Sequence, residues 1–250
     1  RRMKVDILDD LPEKVDIHQP IVMFDDERTY SDSIISTIRS NENKKGIVLQ
    51  EINKLQQFTA HPELLNDSGN LGLQHLMSTS AKFTRLMELL TVISAQKEKV
   101  LVFANHHKMI DILKISIQEK FNISAFNIDG RVANEERQLE IDHFSSTVGF
   151  SVMILNPKTA GMGLNITSAN HVIHYSRQWN PALEEQATAR AFRNGQTKEV
   201  NVYYLYYVDS IEEVIDERLK LKKMLSSRVV SVVDDKESEL EMMLDFIKKD

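Results

Sequence analysis

The sequence contains no cysteine, which excludes disulfide bonds, cysteine nucleophiles and thiolate metal sites and fits a reducing compartment. It also lacks a long apolar run: the longest, from Val202 to Val208, is only as long as a strand, and no signal-peptide pattern opens the chain. The first residue is Arg1 rather than methionine, so we expect the chain to be part of a longer protein. We therefore predict an intracellular protein of the cytoplasm, nucleoid or nucleus that does not enter a membrane.

Glycine-rich phosphate loops are missing as well. No segment matches the G-x-x-x-x-G-K-[ST] pattern of a Walker loop, and no G-x-G-x-x-G follows the first predicted strand. The sequence therefore argues against a complete P-loop NTPase, and it ranks a dinucleotide-binding Rossmann domain last among the α/β alternatives.

Charge is distributed unevenly over the 250 residues. The hydrophobic fraction of 42% and the charged fraction of 27% are ordinary for a globular protein, and the formal net charge is -6. Between residues 156 and 198, however, five Lys or Arg stand against two Asp or Glu. A basic segment in an acidic protein favours an anionic ligand, although a plain surface patch is the simpler explanation of so few charges.

Short apolar runs alternate with amphipathic stretches through the chain. The apolar runs predict strands around 16–23 and at 99–105, 123–129, 151–156, 171–176 and 200–208. The amphipathic stretches predict helices near 27–39, 47–58, 107–121, 134–144 and 181–194, and Ser80 precedes another helix whose apolar stripe fits core packing. This alternation predicts an α/β fold with a mainly parallel sheet, helices on both faces and a ligand site beyond the carboxyl ends of the strands.

The stretch EEQATARAFRNGQ, residues 184–196, predicts part of a helix of about four turns that begins at Pro181 and ends at Asn194-Gly195. At 3.6 residues per turn, Gln186, Arg190 and Arg193 project from one face of that helix. All three side chains can then meet one ligand.

Other motifs are individually weak. NPKTAGMGLN, residues 156–165, follows a strand and contains a G-x-G, which either cradles a phosphate or forms a tight turn. MFDDER, residues 23–28, either ends a metal-binding strand or places Asp25 or Asp26 as the N-cap of a helix. The histidine pairs 106/107 and 171/174 have no third ligand at a recognised spacing, which favours surface or core histidines over a metal site.

Taken in order, these segments resemble the C-terminal RecA-like lobe of the SWI/SNF-type ATPases, double-stranded DNA translocases of helicase superfamily 2. RRMKVDILDDLPEK resembles the junction of the two motor lobes, and LQQFTAHPELL, SAK, KVLVFAN and NIDG fall where the family has further elements. TAGMGLN resembles motif V, and WNPALEEQATARAFRNGQ resembles motif VI. The resemblance covers residues 1 to about 225.

The resemblance implies a RecA-like three-layer domain at 80–225. It also implies a lobe junction with a helical family-specific segment at 1–79 and a C-terminal helical extension at 226–250. The implied function is the C-terminal motor lobe of an ATP-dependent double-stranded DNA translocase or remodeller. The implied partners are double-stranded DNA, ATP and the N-terminal lobe of the same protein. That lobe would supply most of the ligands of the Mg²⁺ ion that accompanies ATP. The fragment alone would then be inactive, because the Walker elements belong to that other lobe.

The resemblance also assigns roles to individual residues. Arg193 is the implied arginine finger, supported by Arg190, and Gln186 is implied to position the nucleotide side of the cleft. The implied nucleotide contacts are Gly161, Gly163 and Asn165. The implied DNA contacts are Lys158, Thr159, Arg177, Trp179 and Gly130.

Four positions depart from the family pattern. Ala189 replaces the aspartate usually found before the first motif VI arginine, and the other departures are Phe192, Asn194 and Ser176. A missing aspartate loosens the orientation of the arginines. Two alternatives therefore stay open: a non-catalytic protein- or nucleic-acid-binding module on a degenerate RecA-like fold, and a strand-separating helicase lobe.

Overall fold

The computed structural model describes residues 11–66, 69, 71–160, 163–178 and 181–226. Its strands are β1 (Lys14–Ile21), β2 (Lys99–Phe103), β3 (Phe126–Ile128), β4 (Ser151–Leu155), β5 (His171–His174) and β6 (Val200–Tyr207). Its helices are α1 (Asp25–Ser40), α2 (Lys45–Ala60), a 3-10 turn (Pro62–Leu64), α3 (Leu73–Thr79), α4 (Ala81–Gln96), α5 (His107–Phe121), α6 (Asn134–Ser146), α7 (Pro157–Ala160), α8 (Pro181–Thr188) and α9 (Ile211–Ser226).

The described strands form one six-stranded sheet in the order β1-β6-β5-β2-β4-β3, and every pairing in it is parallel. Parallel neighbours need crossover connections, and the helices between the strands supply them. The predicted α/β fold with a mainly parallel sheet is confirmed. All carboxyl strand ends therefore lie at one edge of the sheet, which we call the carboxyl edge.

Two hydrophobic cores lie on opposite faces of the sheet. On one face, α4 and α5 pack against strand residues such as Val100, Val102 and Ile154. On the other face, α6 and α8 pack against Leu101 and Phe103 and their neighbours. The central strands β2, β4 and β5 are buried almost throughout because helices cover both of their faces, which is the three-layer arrangement of a RecA-like domain.

The N-terminal part contributes to both the sheet and a separate helical cluster. β1 pairs with β6 along its whole length, from Lys14 opposite Val200 to Ile21 opposite Tyr207. α1 and α2 bury a small core of their own, which Ile211 at the start of α9 joins. The domain boundary at residue 79 stays a prediction, and β1 pairs across it. The predicted extension lies, from residue 227 onward, outside the described residues.

Local sequence signals explain several helix ends. The Ser80 side chain accepts a hydrogen bond from the Phe83 N–H at 3.3 Å, as an N-cap of α4 does. The predicted cap of α1, Asp25 or Asp26, is wrong: Phe24 is the N-cap, and the Glu27 carboxylate accepts from its N–H at 2.9 Å. Among the described helices, none is both long and apolar enough to cross a membrane.

Candidate functional site

Three loops meet at the carboxyl edge, after β2, β4 and β5. The Asn156 side chain donates to the Asn105 carbonyl at 2.9 Å, and the Gln178 side-chain amide donates to the Asn105 Oδ1 at 2.7 Å. The Asn105 N–H donates in turn to the Ser176 Oγ at 3.4 Å. These bonds join the three loops into one polar unit, and a cavity of about 340 Å³ opens beside it, lined by residues that include Asn53, Gln56, Asn105, His106, Lys158 and Gln178.

Lys158 and Thr159 follow β4 and differ in exposure. The Lys158 N–H is held by the Asn156 Oδ1 at 3.0 Å, while its side chain is exposed and its ammonium has no partner among the described residues. Thr159 is buried, and its hydroxyl lies 2.7 Å from the Asn156 carbonyl and 3.2 Å from the Ile128 carbonyl. Lys158 is therefore available to an anion, whereas the Thr159 hydroxyl anchors the turn.

Gly130 lies next to this turn because β3 and β4 are neighbours. Gly130 is exposed just beyond Ile128, whose carbonyl also accepts from the Asn156 N–H at 3.2 Å. Its neighbour Arg131 is held by Asp129 and Asp111 at 2.7 and 2.8 Å, which fixes the loop. The structure thus brings Gly130 and Lys158 to adjacent loops.

Arg190 is fastened to the loop that contains Gly163 and Asn165. Its guanidinium donates to the Gln186 carbonyl at 3.0 Å and to the Leu164 carbonyl at 3.1 Å. Burial is the main reason why the pKa of the Arg190 guanidinium is lower than usual, and the positive charge of Arg193 lowers this pKa further. Arg190 therefore holds the loop and lies within electrostatic reach of Arg193.

Gly163 and Asn165 are both exposed in that loop. Gly163 has a φ of +77°, in the left-handed region that favours glycine, and open space surrounds the position where a Cβ would stand. A ligand can therefore approach the backbone closely there. Gly161 lies outside the described residues.

Arg193 and Gln186 are exposed, and neither side chain has a hydrogen-bond or ion-pair partner within the described part of the chain. They do not share a helix, however. The predicted four-turn helix is wrong, because α8 ends at Thr188 after eight residues and the chain continues in tight turns through Arg190 and Arg193. Their approach to a common ligand therefore cannot rest on helical periodicity.

Gln196, to which sequence reasoning assigned no role, holds the far side of the Arg193 turn. Its side-chain nitrogen donates to the carbonyls of Ala169, Thr167 and Ala191 at 2.8, 3.1 and 3.2 Å. The Gly-Gln pair at the end of the motif VI pattern was the signal available in the sequence. Arg193 thus stands on a segment anchored at both Arg190 and Gln196.

Arg177 is not at the surface. Its side chain is 2% exposed and forms a two-pronged ion pair with Glu184, with N–O distances of 2.9 and 3.2 Å. A second ion pair joins it to Asp216 on α9. Burial alone would lower the pKa of the guanidinium, but the two carboxylates outweigh it and raise the pKa. In this structure the Arg177 guanidinium is therefore nearly buried and already paired with two carboxylates, and Trp179 lies outside the described residues.

The histidines considered as metal ligands have other neighbours. His171 lies 2.7 Å from the Glu98 carboxylate, and His174 lies 2.9 Å from the Thr188 hydroxyl. Across the described ranges, no three His, Asp or Glu side chains gather as a metal site.

Comparison with known proteins gives consistent similarities. Residues 81–195 match the family described as the helicase conserved C-terminal domain. YwqA of Bacillus subtilis (strain 168) is 32% identical over 226 residues, which are 88% of this chain and 24% of YwqA. The Sulfolobus solfataricus SWI2/SNF2 ATPase core in complex with dsDNA superposes with a TM-score of 0.72 at 30% identity, covering 89% of this chain and 47% of that one.

A further solved structure, the C-terminal part of the Fun30 ATPase domain, superposes with a TM-score of 0.69 at 26% identity. That superposition covers 95% of this chain and 98% of the other. By contrast, this chain spans only 22% to 32% of the length of four curated relatives. The similarity therefore concerns one lobe of larger proteins.

Proposed function

We propose that this chain, which belongs to the family of SWI2/SNF2-type helicase C-terminal lobes, is the C-terminal motor lobe of an ATP-dependent double-stranded DNA translocase or remodeller. ATP and duplex DNA are its proposed ligands, and an N-terminal lobe of the same protein is its proposed partner. The Sulfolobus solfataricus SWI2/SNF2 ATPase core, which this chain resembles, is bound to dsDNA in its solved complex, and this supports the choice of duplex DNA.

The observation that carries this proposal is the contrast among three arginines. Arg177 is enclosed by two carboxylates and Arg190 is bonded to backbone carbonyls, whereas Arg193 is exposed and has no partner in the described part of the chain. Phosphoryl transfer spreads negative charge over the terminal phosphate, and an arginine delivered from a second lobe stabilises it. We propose Arg193 as that arginine, with Arg190 holding the segment that presents it.

The other proposed nucleotide contacts include Gly163, Asn165 and Gln186, which are exposed to solvent. We propose that the backbone around Gly161, Gly163 and Asn165 approaches the ribose and that the free Gln186 amide lines the same cleft. Among the described residues, no group of three His, Asp or Glu side chains gathers as a metal site. We therefore propose that the N-terminal lobe supplies the Mg²⁺ ligands.

The proposed DNA contacts are the Lys158 ammonium and the backbone near Thr159 and Gly130, together with Trp179. Contacts of this kind reach phosphates rather than base edges, so binding depends little on sequence. Arg177 is left out of this set because its guanidinium is already paired with the Glu184 and Asp216 carboxylates.

The test measures DNA-stimulated ATP hydrolysis by the full-length protein on single- and double-stranded DNA. Arg193→Ala is expected to lower the duplex-stimulated rate by roughly 10³-fold or more while DNA binding remains. Arg39→Ala, an arginine in the last turn of α1, is the matched control and should keep the rate. Hydrolysis by this chain alone is expected to be negligible and to return when the N-terminal lobe is added.

Two outcomes would replace the proposal. An Arg193→Ala protein that hydrolyses ATP at the normal rate would favour a non-catalytic binding module. Strand separation of a duplex without displacement of proteins from it would favour a helicase lobe.

A further inference from the structure

The loop before α8 is closed by a buried charge pair. Glu184, on the first turn of α8, is 3% exposed and accepts two hydrogen bonds from the Arg177 guanidinium. The same carboxylate accepts from the Gln178 N–H at 2.9 Å. The start of α8 is thus held against the end of β5 by three hydrogen bonds that have little access to water.

Backbone hydrogen bonds join the end of α8 to the residues that directly precede Arg193. Beyond the last helical residue, the Ala191 and Phe192 N–H groups both donate to the Thr188 carbonyl, at 3.1 and 3.0 Å. The Thr188 hydroxyl is itself bonded to His174 of β5. Ala187 and Ala191 are fully buried beneath the segment, so the backbone has no room to slide without disturbing the core.

The other side of Arg177 belongs to α9. Asp216 on α9 is 1% exposed and pairs with the guanidinium, which also lies 4.9 Å from the centre of the Tyr204 ring. One turn earlier, Glu212 holds the buried Lys82 of α4 at 2.5 Å, so α9 is fastened to the core independently of Arg177. Arg177 is thus a buried cation between a helix fixed to the core and the helix that leads to Arg193.

We propose that Arg177 is a positioning residue for Arg193, because it ties the start of α8 to Asp216 on α9 and so sets how the Arg193 guanidinium is presented. The inference rests on the proposed function of Arg193. It also implies that a shift of α9 changes the presentation of Arg193.

Two measurements test the inference, and one of them does not depend on activity. In this chain, Arg177→Gln is expected to raise hydrogen–deuterium exchange of the amides in 186–196 by roughly tenfold or more, because it leaves the buried Glu184 carboxylate at the start of α8 without its cation. In the full-length protein the same change should lower kcat for DNA-stimulated hydrolysis roughly 10- to 100-fold, with the KM for ATP and the DNA affinity nearly unchanged. Arg177→Lys keeps the charge but loses the two-pronged geometry. Its exchange rate and its kcat should therefore lie between those of the original protein and those of Arg177→Gln.

A matched control separates positioning from general destabilisation. Tyr207→Phe removes a buried hydroxyl that bonds Glu27, Ser80 and the Lys82 N–H, whereas the Arg177 guanidinium bonds Glu184 and Asp216 instead. This variant should have a lower denaturation midpoint. It should show no selective increase in hydrogen–deuterium exchange of the amides in 186–196 and no loss of kcat. Equal exchange and kcat effects in Tyr207→Phe and Arg177→Gln would overturn the inference.

Asp216→Asn provides a milder variant and a double-mutant cycle. If Arg177 and Asp216 act through one bond, the kcat loss of the double variant should equal that of Arg177→Gln rather than the product of the single losses. Fully multiplicative losses, or unchanged exchange in 186–196 in Arg177→Gln, would refute the coupling. A normal rate in Arg193→Ala would instead refute the proposed function and leave the exchange result standing.

Discussion

Arg190 donates a hydrogen bond from its guanidinium to the Leu164 carbonyl at 3.1 Å, and this bond joins the turn after α8 to the loop before β5. The Arg190 carbonyl reinforces the link by accepting from the Ile166 N–H at 2.9 Å. One arginine of the motif therefore serves the fold, and its neighbour Arg193 is left exposed.

The two arginines should differ in their effect on stability. Arg190→Ala is expected to lower the free energy of unfolding by about 1–3 kcal/mol, because it removes two hydrogen bonds to backbone carbonyls from a largely buried position. Arg193→Ala should change it by less than about 0.5 kcal/mol, as exposed substitutions do. Urea denaturation of both variants measures this difference, and equal losses would contradict the division of roles.

Lys158 should contribute to DNA affinity without regard to sequence. Lys158→Ala is expected to weaken binding of unrelated duplexes equally and to reduce the slope of log K against log salt by about 1, the value for one lost phosphate contact. Lys198→Ala is the control, because Lys198 lies at the opposite edge of the sheet and pairs with Glu98 at 2.8 Å. Binding titrations at several salt concentrations decide the matter; an unchanged slope would exclude Lys158 from the DNA contacts.

His61 should make the protein sensitive to mild acid. Its Nδ1 accepts from the Glu63 N–H at 3.1 Å, so Nε2 carries the proton and faces the Leu76 carbonyl at 3.2 Å. Burial lowers the pKa of the imidazole to about 4 from the usual 6.5. The folded state then binds fewer protons than the unfolded state, so stability is full above about pH 6.5 and decreases by about 3 kcal/mol as the pH falls toward 4.

Denaturation midpoints between pH 7.5 and 4 measure the effect of His61. His61→Asn, whose amide oxygen can replace the Nδ1 acceptor, should be less stable at pH 7.5 but lose less stability on acidification. A variant with the same pH dependence as the original protein would show that other groups cause the acid sensitivity.

Glu98 should affect the stability of the protein at lower pH than His61 does. Burial alone would raise the pKa of its carboxyl, but hydrogen bonds from Lys198, Asn170 and His171 outweigh this effect and lower the pKa to about 2. Stability from Glu98 is therefore present above about pH 4.5 and lost as the pH falls toward 2, by about 1–3 kcal/mol after allowance for solvent screening. Glu98→Gln should flatten the stability curve between pH 4.5 and 2.5, whereas an unchanged curve would rule out this role.

Element order could be predicted because it depends on local patterns. Apolar runs such as KVLVF, which are preceded and followed by amphipathic helical stretches, predicted buried parallel strands. The ends of β2 and β4 are observed within two residues of the predicted bounds. The helix predicted after Ser80 is observed as α4, and its N-cap is a local feature of the same kind, since Ser80 bonds to a backbone group only three residues away.

The end of α8 could not be predicted in this way. The sequence from Pro181 to Asn194 has helical spacing, but the Arg190 carbonyl bonds to Ile166 and the Ala191 carbonyl is taken by the Gln196 side chain. These bonds compete with the helix for the same carbonyls, and Ile166 comes from a loop more than twenty residues earlier. Helical periodicity contains no information about such competitors.

The sequence by itself determined the alternation of strands and helices, the family and the choice of Arg193 as the candidate arginine, because each depends on residues close together in the chain. Only the tertiary structure decided that Arg177 is internal, since its charge is balanced by Glu184 on α8 and by Asp216, which is 39 positions away. A buried cation is stable only where carboxylates surround it, and folding alone brings those carboxylates together.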